Sequence, residues 1–537
     1  MPAVHPGAEK RYTADDAFRL PSLLELVPRG DDGAPAGAGG PVAEGEPVHQ
    51  QLVTTCFDTA DLRLTAAGLA LLRRTGGDHA GWHLEVPAAG GSDGRSDVRL
   101  PLGRAWRTVP QTLRRMVRAH SRGELLTPVA EITTDRVLRR LVDATGQVLA
   151  EVADDRVTAR RLVPAGDDDL PGAARSWRQI EVGSAEGGAG LLEAVDARLR
   201  EQGLAEARGS AAFAGLLVDA RSGDERKGKG KGKGSGEEKG RGGLTPRSAA
   251  GDVVLAHLRE QVDQVRAQDL PVRLDAADSV HRMRVATRRL RSALTTYKPL
   301  FDADVVRPLR GELKWLAAEL GAARDAEVLR DRVAATVDGD GAVDAAASGQ
   351  AVEELDDVYR EAHDEVLAAL DGERYHQLLR DLDALVTAPP VTPRARRRAG
   401  RVLPRLVGRS YTAVRRLVDE AGARPAGPER EELLHDARKA AKAARYAGES
   451  VSGVFGADAA AFARAMEDVQ EALGEHQDSV LTRERLRSLG LSATSTEAAF
   501  LYGRLHALEE AKAERSRDRF DEAWRAAGRK RLHRWTR

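Results

Sequence analysis

Two stretches of this 537-residue chain combine residue types that together could hold a polyvalent anion. The first is His281-Arg-Met-Arg284-Val-Ala-Thr-Arg288-Arg289-Leu-Arg291, and the second is His435-Asp-Ala-Arg438-Lys439-Ala-Ala-Lys442-Ala-Ala-Arg445-Tyr446. The third, seventh and tenth residues after each histidine are Arg284, Arg288 and Arg291, or Arg438, Lys442 and Arg445. On a helix advancing about 100° per residue, these positions fall within about 80° of one another. Each stretch therefore stacks a histidine and three cations on one stripe. Like charges at i,i+3 and i,i+4 repel by about 0.2–0.5 kcal/mol per pair, and a polyanion lying along the stripe reverses the sign of that term. A single stripe reads equally well as a solvated basic face; its recurrence 154 residues later favours an anion site. The guanidinium fork suits phosphate oxygens, and lysine adds point charge.

Composition narrows what such a site serves. With 83 basic and 83 acidic residues, attraction to anions must come from segregated patches. Aromatic residues make up only 4% of the chain, which counts against single-stranded nucleic-acid binding, where bases stack on aromatic platforms. No base-reading motif is present, so a nucleic-acid backbone binder is the least favoured reading. One cysteine, Cys56, excludes an intramolecular disulfide framework, fits a reducing compartment and reads as a buried strand cysteine. No run of 18 apolar residues occurs, and the N-terminus MPAVHPGAEKRY lacks the order of a signal peptide. The expectation is a cytoplasmic protein without membrane contact.

The elements that position the stripes are set by hydrophobic period. Residues 223–243 alternate glycine with lysine, cannot bury apolar surface and read as a flexible charged linker. Before it, period-2 patterns predict strands at 52–57, 69–75, 82–86, 98–100, 148–155, 157–162 and 177–182, with helices at 109–122 and 190–201. Residues 30–46 read as a loose surface insertion. After the linker a 3.6-residue period predicts helices at 249–267, 278–294, 307–320, 325–337, 352–371, 375–386, 395–420, 430–450, 459–473, 479–489 and 496–526. Thr245-Pro-Arg247 recurs as Thr392-Pro-Arg394, and Leu320-Gly-Ala-Ala-Arg-Asp325 as Leu473-Gly-Glu-His-Gln-Asp478. A repeat of about 150 residues gives two similar helical halves. Further cations accompany the stripes: Lys314, Arg324, Arg394, Arg396, Arg397, Arg398 and Arg401, then Arg529, Lys530, Arg531, Arg534 and Arg537 near the C-terminus. Asp325 and Asp478 read as helix N-caps. Neither His281 nor His435 has a second histidine or a carboxylate four residues on, so both read as phosphate donors or packing residues rather than metal ligands.

The segments from His281 to Arg291, Lys314-Trp315, Leu320 to Asp325 and His435 to Tyr446 together resemble the conserved histidine α-helical domain, CHAD, over about residues 244–537. That resemblance implies a duplicated pair of four-helix bundles binding inorganic polyphosphate through His281, Arg284, Arg288, Arg289, Arg291, Lys314, Arg324, His435, Arg438, Lys439, Lys442 and Arg445. The first half, about residues 1–222, resembles the CYTH domain of the triphosphate tunnel metalloenzymes. The pieces are Glu9-Lys-Arg11-Tyr12, Cys56 to Leu64, Leu71 to Thr75, Trp82-His83-Leu84, Asp97-Val-Arg99, Arg136 with Arg139 and Arg140, Glu151 to Asp155 and Arg178 to Val182. It implies an eight-stranded tunnel in which Glu9 and Arg11 are catalytic, Glu9, Glu151, Asp155 and Glu181 hold Mg2+ or Mn2+, and Arg63, Arg73, Arg74, Arg99 and Arg136 clamp phosphate. The chain departs from that pattern. Gly7 replaces the first motif glutamate and Arg11 its lysine; Leu72 and Glu85 replace cations; Gln179 and Gly183 replace glutamates; residues 210–213 show no late lysine.

The expected architecture is therefore multidomain α+β, with an N-terminal β-barrel or tunnel of CYTH type and a C-terminal all-α domain of two pseudo-symmetric four-helix bundles. The favoured function is inorganic polyphosphate binding beside a partly degraded phosphate tunnel, in the cytoplasm and at polyphosphate granules. The alternative is a metal-dependent phosphatase acting on triphosphate, nucleotides or polyphosphate.

Overall fold

A computed structural model describes residues 9–26, 43–77, 79–87, 95–103, 107–162, 174–184, 189–206, 243–339, 345–425, 427–493 and 495–537. The chain divides into two compact units, Met1–Gly236 and Glu237–Arg537. The glycine–lysine stretch expected as a linker lies outside the described residues apart from Gly243.

The first unit is built on one antiparallel sheet. Its strands are β1 (Glu9–Ala14), β2 (Ala43–Glu44), β3 (Val48–Asp58), β4 (Ala70–Thr75), β5 (Gly81–Pro87), β6 (Arg95–Leu100), β7 (Thr127–Val142), β8 (Val148–Arg161), β9 (Arg175–Ser184) and β10 (Ala205–Glu206). The order is β10-β1-β9-β8-β7-β3-β4-β5-β6, with β2 paired to β7. The expected closed barrel is not formed among the described residues: β10 and β6 end the sheet. Closure needs the terminal strands to pair, and β10 pairs only with Tyr12 and Thr13 of β1. The 16-residue β7 carries an unusually mixed run, Thr127 to Val142, with charges on both faces, which hid it from a period-2 reading. The strands expected at 148–155 and 157–162 are one continuous strand, β8.

Three of the unit's helices, α1 (Arg63–Ala66), α2 (Gln111–Met116) and α3 (Arg118–Ser121), are short; the last two replace the single helix expected at 109–122. The fourth, α4 (Ala189–Glu201), places Leu192, Val195 and Leu199 against Tyr12, Leu141, Val152, Ile180 and Val182. Strand residues two apart share a face, so this apolar set leaves the alternate residues on the opposite face. Cys56 is buried with Leu72, Ala130 and Ala159, and burial pushes its thiol pKa up.

The second unit contains α5 (Ala250–Arg273), α6 (Ser279–Thr296), α7 (Ala303–Gly339), α8 (Ala345–Asp371), α9 (Glu373–Thr387), α10 (Ala399–Gly422), α11 (Pro428–Glu449), α12 (Ser452–Ser492) and α13 (Thr496–Ala527). Consecutive helices pack together within α5–α8 and within α10–α13, and α6 packs against α11. The helices α7 and α12 run unbroken through Asp325 and Asp478, so neither aspartate is an N-cap as the sequence suggests. The single non-helical residue inside α12 is Gly456, near its start. No described helix is long and apolar enough to cross a membrane.

Candidate functional site

The helix α6 buries Val280, Met283, Ala286, Leu290, Ala293 and Leu294, a 3.6-period apolar face that fixes its rotation. His281, Arg284, Arg288 and Arg291 are thereby left on an adjoining half-buried stripe. The helix α11 buries mainly alanines, Ala437, Ala441, Ala444 and Ala447. These small side chains allow close approach, and a Cβ on Gly448 would lie 2.9 Å from Phe462 of α12.

The two basic helices are pinned to each other at their C-terminal ends. The Tyr297 hydroxyl is 3.0 Å from the Ala447 carbonyl oxygen, to which it donates, and 3.0 Å from Ser450 Oγ. Arg289 pairs with Glu449 at 2.9 Å and sits 5.7 Å from the Tyr446 ring, while Arg445 lies 5.9 Å from the same ring. Arg289 therefore ties the helices together through Nη2, while its buried Nε has no hydrogen-bond partner.

From that anchor the stripes converge. Burial together with Arg288, Arg438, Arg284 and Arg445 pushes the Lys442 ammonium pKa down to about 7. Burial and the neighbouring Arg284, Arg291 and Arg438 lower that of Arg288. Neither Lys442 nor Arg288 has a carboxylate partner among the described residues. Arg284 lies against Gly321 of α7, 3.7 Å from Asp325, and its buried Nε has no hydrogen-bond partner. In the second half Arg438 lies against Gly474 of α12, 3.4 Å from Asp478 and 3.3 Å from Gln477. Asp325 is largely solvent-exposed and Asp478 partly so, and at 3.4–3.7 Å these pairs contribute little and restrain the arginines only weakly. Burial, then Arg324 and Arg284, lowers the His281 pKa, leaving a neutral imidazole at neutral pH. His435 keeps a buried Nδ1 without a partner.

The remaining helical candidates are placed differently. Arg324 pairs with Glu327 at 2.7 Å, and Lys439 points off the stripe to Asp436 at 3.1 Å. Lys314 is exposed on α7, one turn beyond Arg310. The arginines at 394–398 precede α10, Arg401 lies in its first turn, and the C-terminal cations flank or lie within the short 3₁₀ turn Lys530–Thr536. Sequence reasoning missed Arg310, which faces Arg291, and Gly321 and Gly474, although both glycines stand inside the repeated Leu-Gly-x-x-x-Asp segment.

In the sheet unit, register puts Arg11, Arg136, Asp155 and Glu181 on one face. The guanidinium of Arg136 binds Asp155 bidentately, at 2.8 Å each, and reaches Glu181 at 2.5 Å; Arg11 contacts Glu181 at 2.7 Å. Glu151 pairs with Arg140 at 2.6 Å. Glu9 stands opposite Gly183, and its side chain lies outside the description. No group of three His, Cys, Asp or Glu side chains suited to a metal occurs among the described residues. Arg74 and Arg99 share the charged face, paired with Glu85 and Asp97 at 2.7 Å each. Arg73 points to the other face, and Arg63 of α1 pairs with Asp61 at 2.7 Å.

Residues 256–487 match the CHAD domain family. This is a CHAD-domain protein. The chain is 34% identical over 540 residues to two Mycobacterium tuberculosis proteins, Uncharacterized protein MT2285 of strain CDC 1551 / Oshkosh and Uncharacterized protein Rv2226 of strain ATCC 25618 / H37Rv. Each alignment covers 98% of this chain and 96% of the relative, so the chain belongs to their family over its whole length. Among solved structures, PptA from Streptomyces chartreusis is similar at 24% identity and a TM-score of 0.43, covering 52% of this chain and 100% of that one. The CHAD domain from the plant Ricinus communis is similar at 24% identity and a TM-score of 0.43, covering 56% and 97%.

Proposed function

We propose that the CHAD region binds inorganic polyphosphate through the cationic seam between α6 and α11. One observation carries this reading: Lys442 sits among Arg284, Arg288, Arg438 and Arg445, drawn from both helices, with its ammonium pKa pushed down to about 7. Such a cluster is destabilised by self-repulsion when empty and is relieved by a dense anion. Because the cations run along two helices instead of converging at one point, a chain of phosphates fits better than a single group. Triphosphate or a nucleotide would occupy only the centre. The two helical sets are read as the halves of a duplicated pair of four-helix bundles, and binding there requires no metal.

The sheet unit is read as a CYTH-like phosphate-binding fold whose site is internally neutralised. Arg136 already binds Asp155 and Glu181, so Mg2+ or Mn2+ would have to displace a guanidinium from two carboxylates. These residues do not fit a metal centre. The favoured setting is the cytoplasm, in association with polyphosphate granules.

The test is binding of polyphosphate of defined length to the full chain over a salt titration. Replacing Arg284, Arg288, Arg438 and Lys442 together with Ala is expected to weaken binding by about a hundredfold or more, at about 1.5–3 kcal/mol per charged hydrogen bond, with helical content unchanged. Undiminished binding by that variant, or equal affinity for duplex DNA at the same salt, would overturn the proposal. Phosphate release that depends on Mg2+ or Mn2+ would favour the hydrolase instead.

A further inference from the structure

The two halves of the seam are built on one pattern but differ in charge. With an offset of 154 residues, Arg291 of α6 corresponds to Arg445 of α11 and Thr295 to Glu449; with 153, Lys314 of α7 corresponds to Glu467 of α12. The neighbouring positions confirm the register: Leu309, Leu313, Leu316 and Leu320 are buried, as are Phe462, Met466, Val469 and Leu473.

In the second half Arg445 is held by its neighbours. It pairs with Glu449 at 2.6 Å and Glu467 at 2.8 Å, and its Nη1 lies 3.4 Å from Gln470 Oε1. Burial alone would lower its pKa, yet these carboxylates raise it. In the first half the equivalent arginine meets cations. Burial and Arg310 lower the pKa of Arg291, which has no acidic partner among the described residues. The Nε of Arg310 is buried without a hydrogen-bond partner. Lys314, one turn further along α7, occupies the register from which Glu467 reaches Arg445. The same spot thus carries an ammonium in one half and a carboxylate in the other.

We infer that a bound polyanion leaves the central Arg288–Lys442 cluster on the first side only, over Arg291, Arg310 and Lys314, while Glu449 and Glu467 close the equivalent path on the second side. This rests on the anion-binding reading above. It assigns Arg310 as a binding residue and Glu467 as a residue that sets the direction of the chain. A phosphate chain entering the second side would have to displace two carboxylates from Arg445, whereas on the first side it meets unneutralised cations.

The experiment uses the full chain, polyphosphate of defined length and fixed salt, with circular dichroism confirming each variant's helical content. Replacing Arg310 and Lys314 with Ala is expected to weaken binding about tenfold or more. Replacing the exposed Arg464 and Arg485 of α12 with Ala, which removes the same charge from the second half, is expected to change affinity less than about twofold. Equal losses in these two variants would overturn the inference. The swap of Lys314→Glu with Glu467→Lys, which also conserves net charge, is expected to weaken binding about fivefold; unchanged affinity there would equally overturn it. No binding by the unaltered protein would instead overturn the polyphosphate reading itself, so the two failures are distinct.

Discussion

Lys442 differs from the cations around it in being able to lose its charge near neutrality. The four arginines stay protonated at any physiological pH, whereas burial and those arginines push the Lys442 pKa down to about 7. Binding a polyanion favours the protonated lysine, so its pKa rises in the complex and binding takes up a proton. The sign follows: affinity is highest below about pH 7 and falls as pH rises between the free and bound pKa values, by up to about tenfold per unit. His281 does not mimic this above neutrality, because burial and Arg324 keep it neutral there. Polyphosphate affinity measured from about pH 6 to about pH 9 should therefore fall in the wild type and fall much less in Lys442→Arg; parallel profiles would refute the assignment. The stripe itself was legible, since a histidine and three cations at fixed spacing recur 154 positions apart. What spacing alone did not show was which cations are already paired. Arg289 meets Glu449 on the adjacent helix, a contact that exists only after packing, whereas Arg324 with Glu327 and Lys439 with Asp436 are i,i+3 pairs within single helices whose spacing was in the sequence.

At the scale of elements, two glycines bring the basic helices close to their neighbours. A Cβ built on Gly474 would lie 3.1 Å from Nη2 of Arg438, whereas one on Gly321 would stand 3.8 Å from Arg284. Alanine in place of a mid-helix glycine stabilises by about 0.8–1 kcal/mol where it meets no clash. Gly321→Ala is thus expected to raise stability with little change in polyphosphate affinity. Gly474→Ala displaces a flexible guanidinium rather than backbone, so it should also fold, but with affinity lowered about two- to fivefold. Thermal melts beside binding isotherms separate the two, and equal affinity in both variants would show that Arg438 does not need its place against α12. These same glycines explain the misread helix ends. A Leu-Gly-x-x-x-Asp segment has the composition of a helix stop followed by a cap, yet the chain continues helically because the glycine serves an arginine on the adjacent helix. In the sheet, short alternating strands such as β5 were legible, whereas β7 was hidden by Asp135, Arg136, Arg139 and Arg140, whose partners lie on β2, β3, β8 and β9.

Over the whole molecule the two units rest on different physics. The sheet unit keeps its charged face by internal pairing, with Arg136 joining the buried Asp155 to Glu181. The helical unit keeps its seam cations largely unneutralised. The change of hydrophobic period from 2 to 3.6 separated these halves in the sequence, but strand closure did not follow from it, because closure depends on how the short end strands pair. Each unit has its own core, so calorimetry of the full chain is expected to resolve two transitions. A ligand that binds only the folded helical unit stabilises it by about 2.7 kcal/mol at a hundredfold excess over Kd, enough to raise that unit's Tm by several degrees. Polyphosphate should therefore shift the transition that loses the helical far-ultraviolet signal and leave the other in place. Arg136→Met should do the reverse. It leaves the carboxylates of Asp155 and Glu181 without their shared cation, which lowers the sheet transition by about 3 kcal/mol while polyphosphate affinity holds. If polyphosphate moved the sheet transition instead, the anion would be binding on the face that Arg136 neutralises, and the seam between α6 and α11 would not be its site.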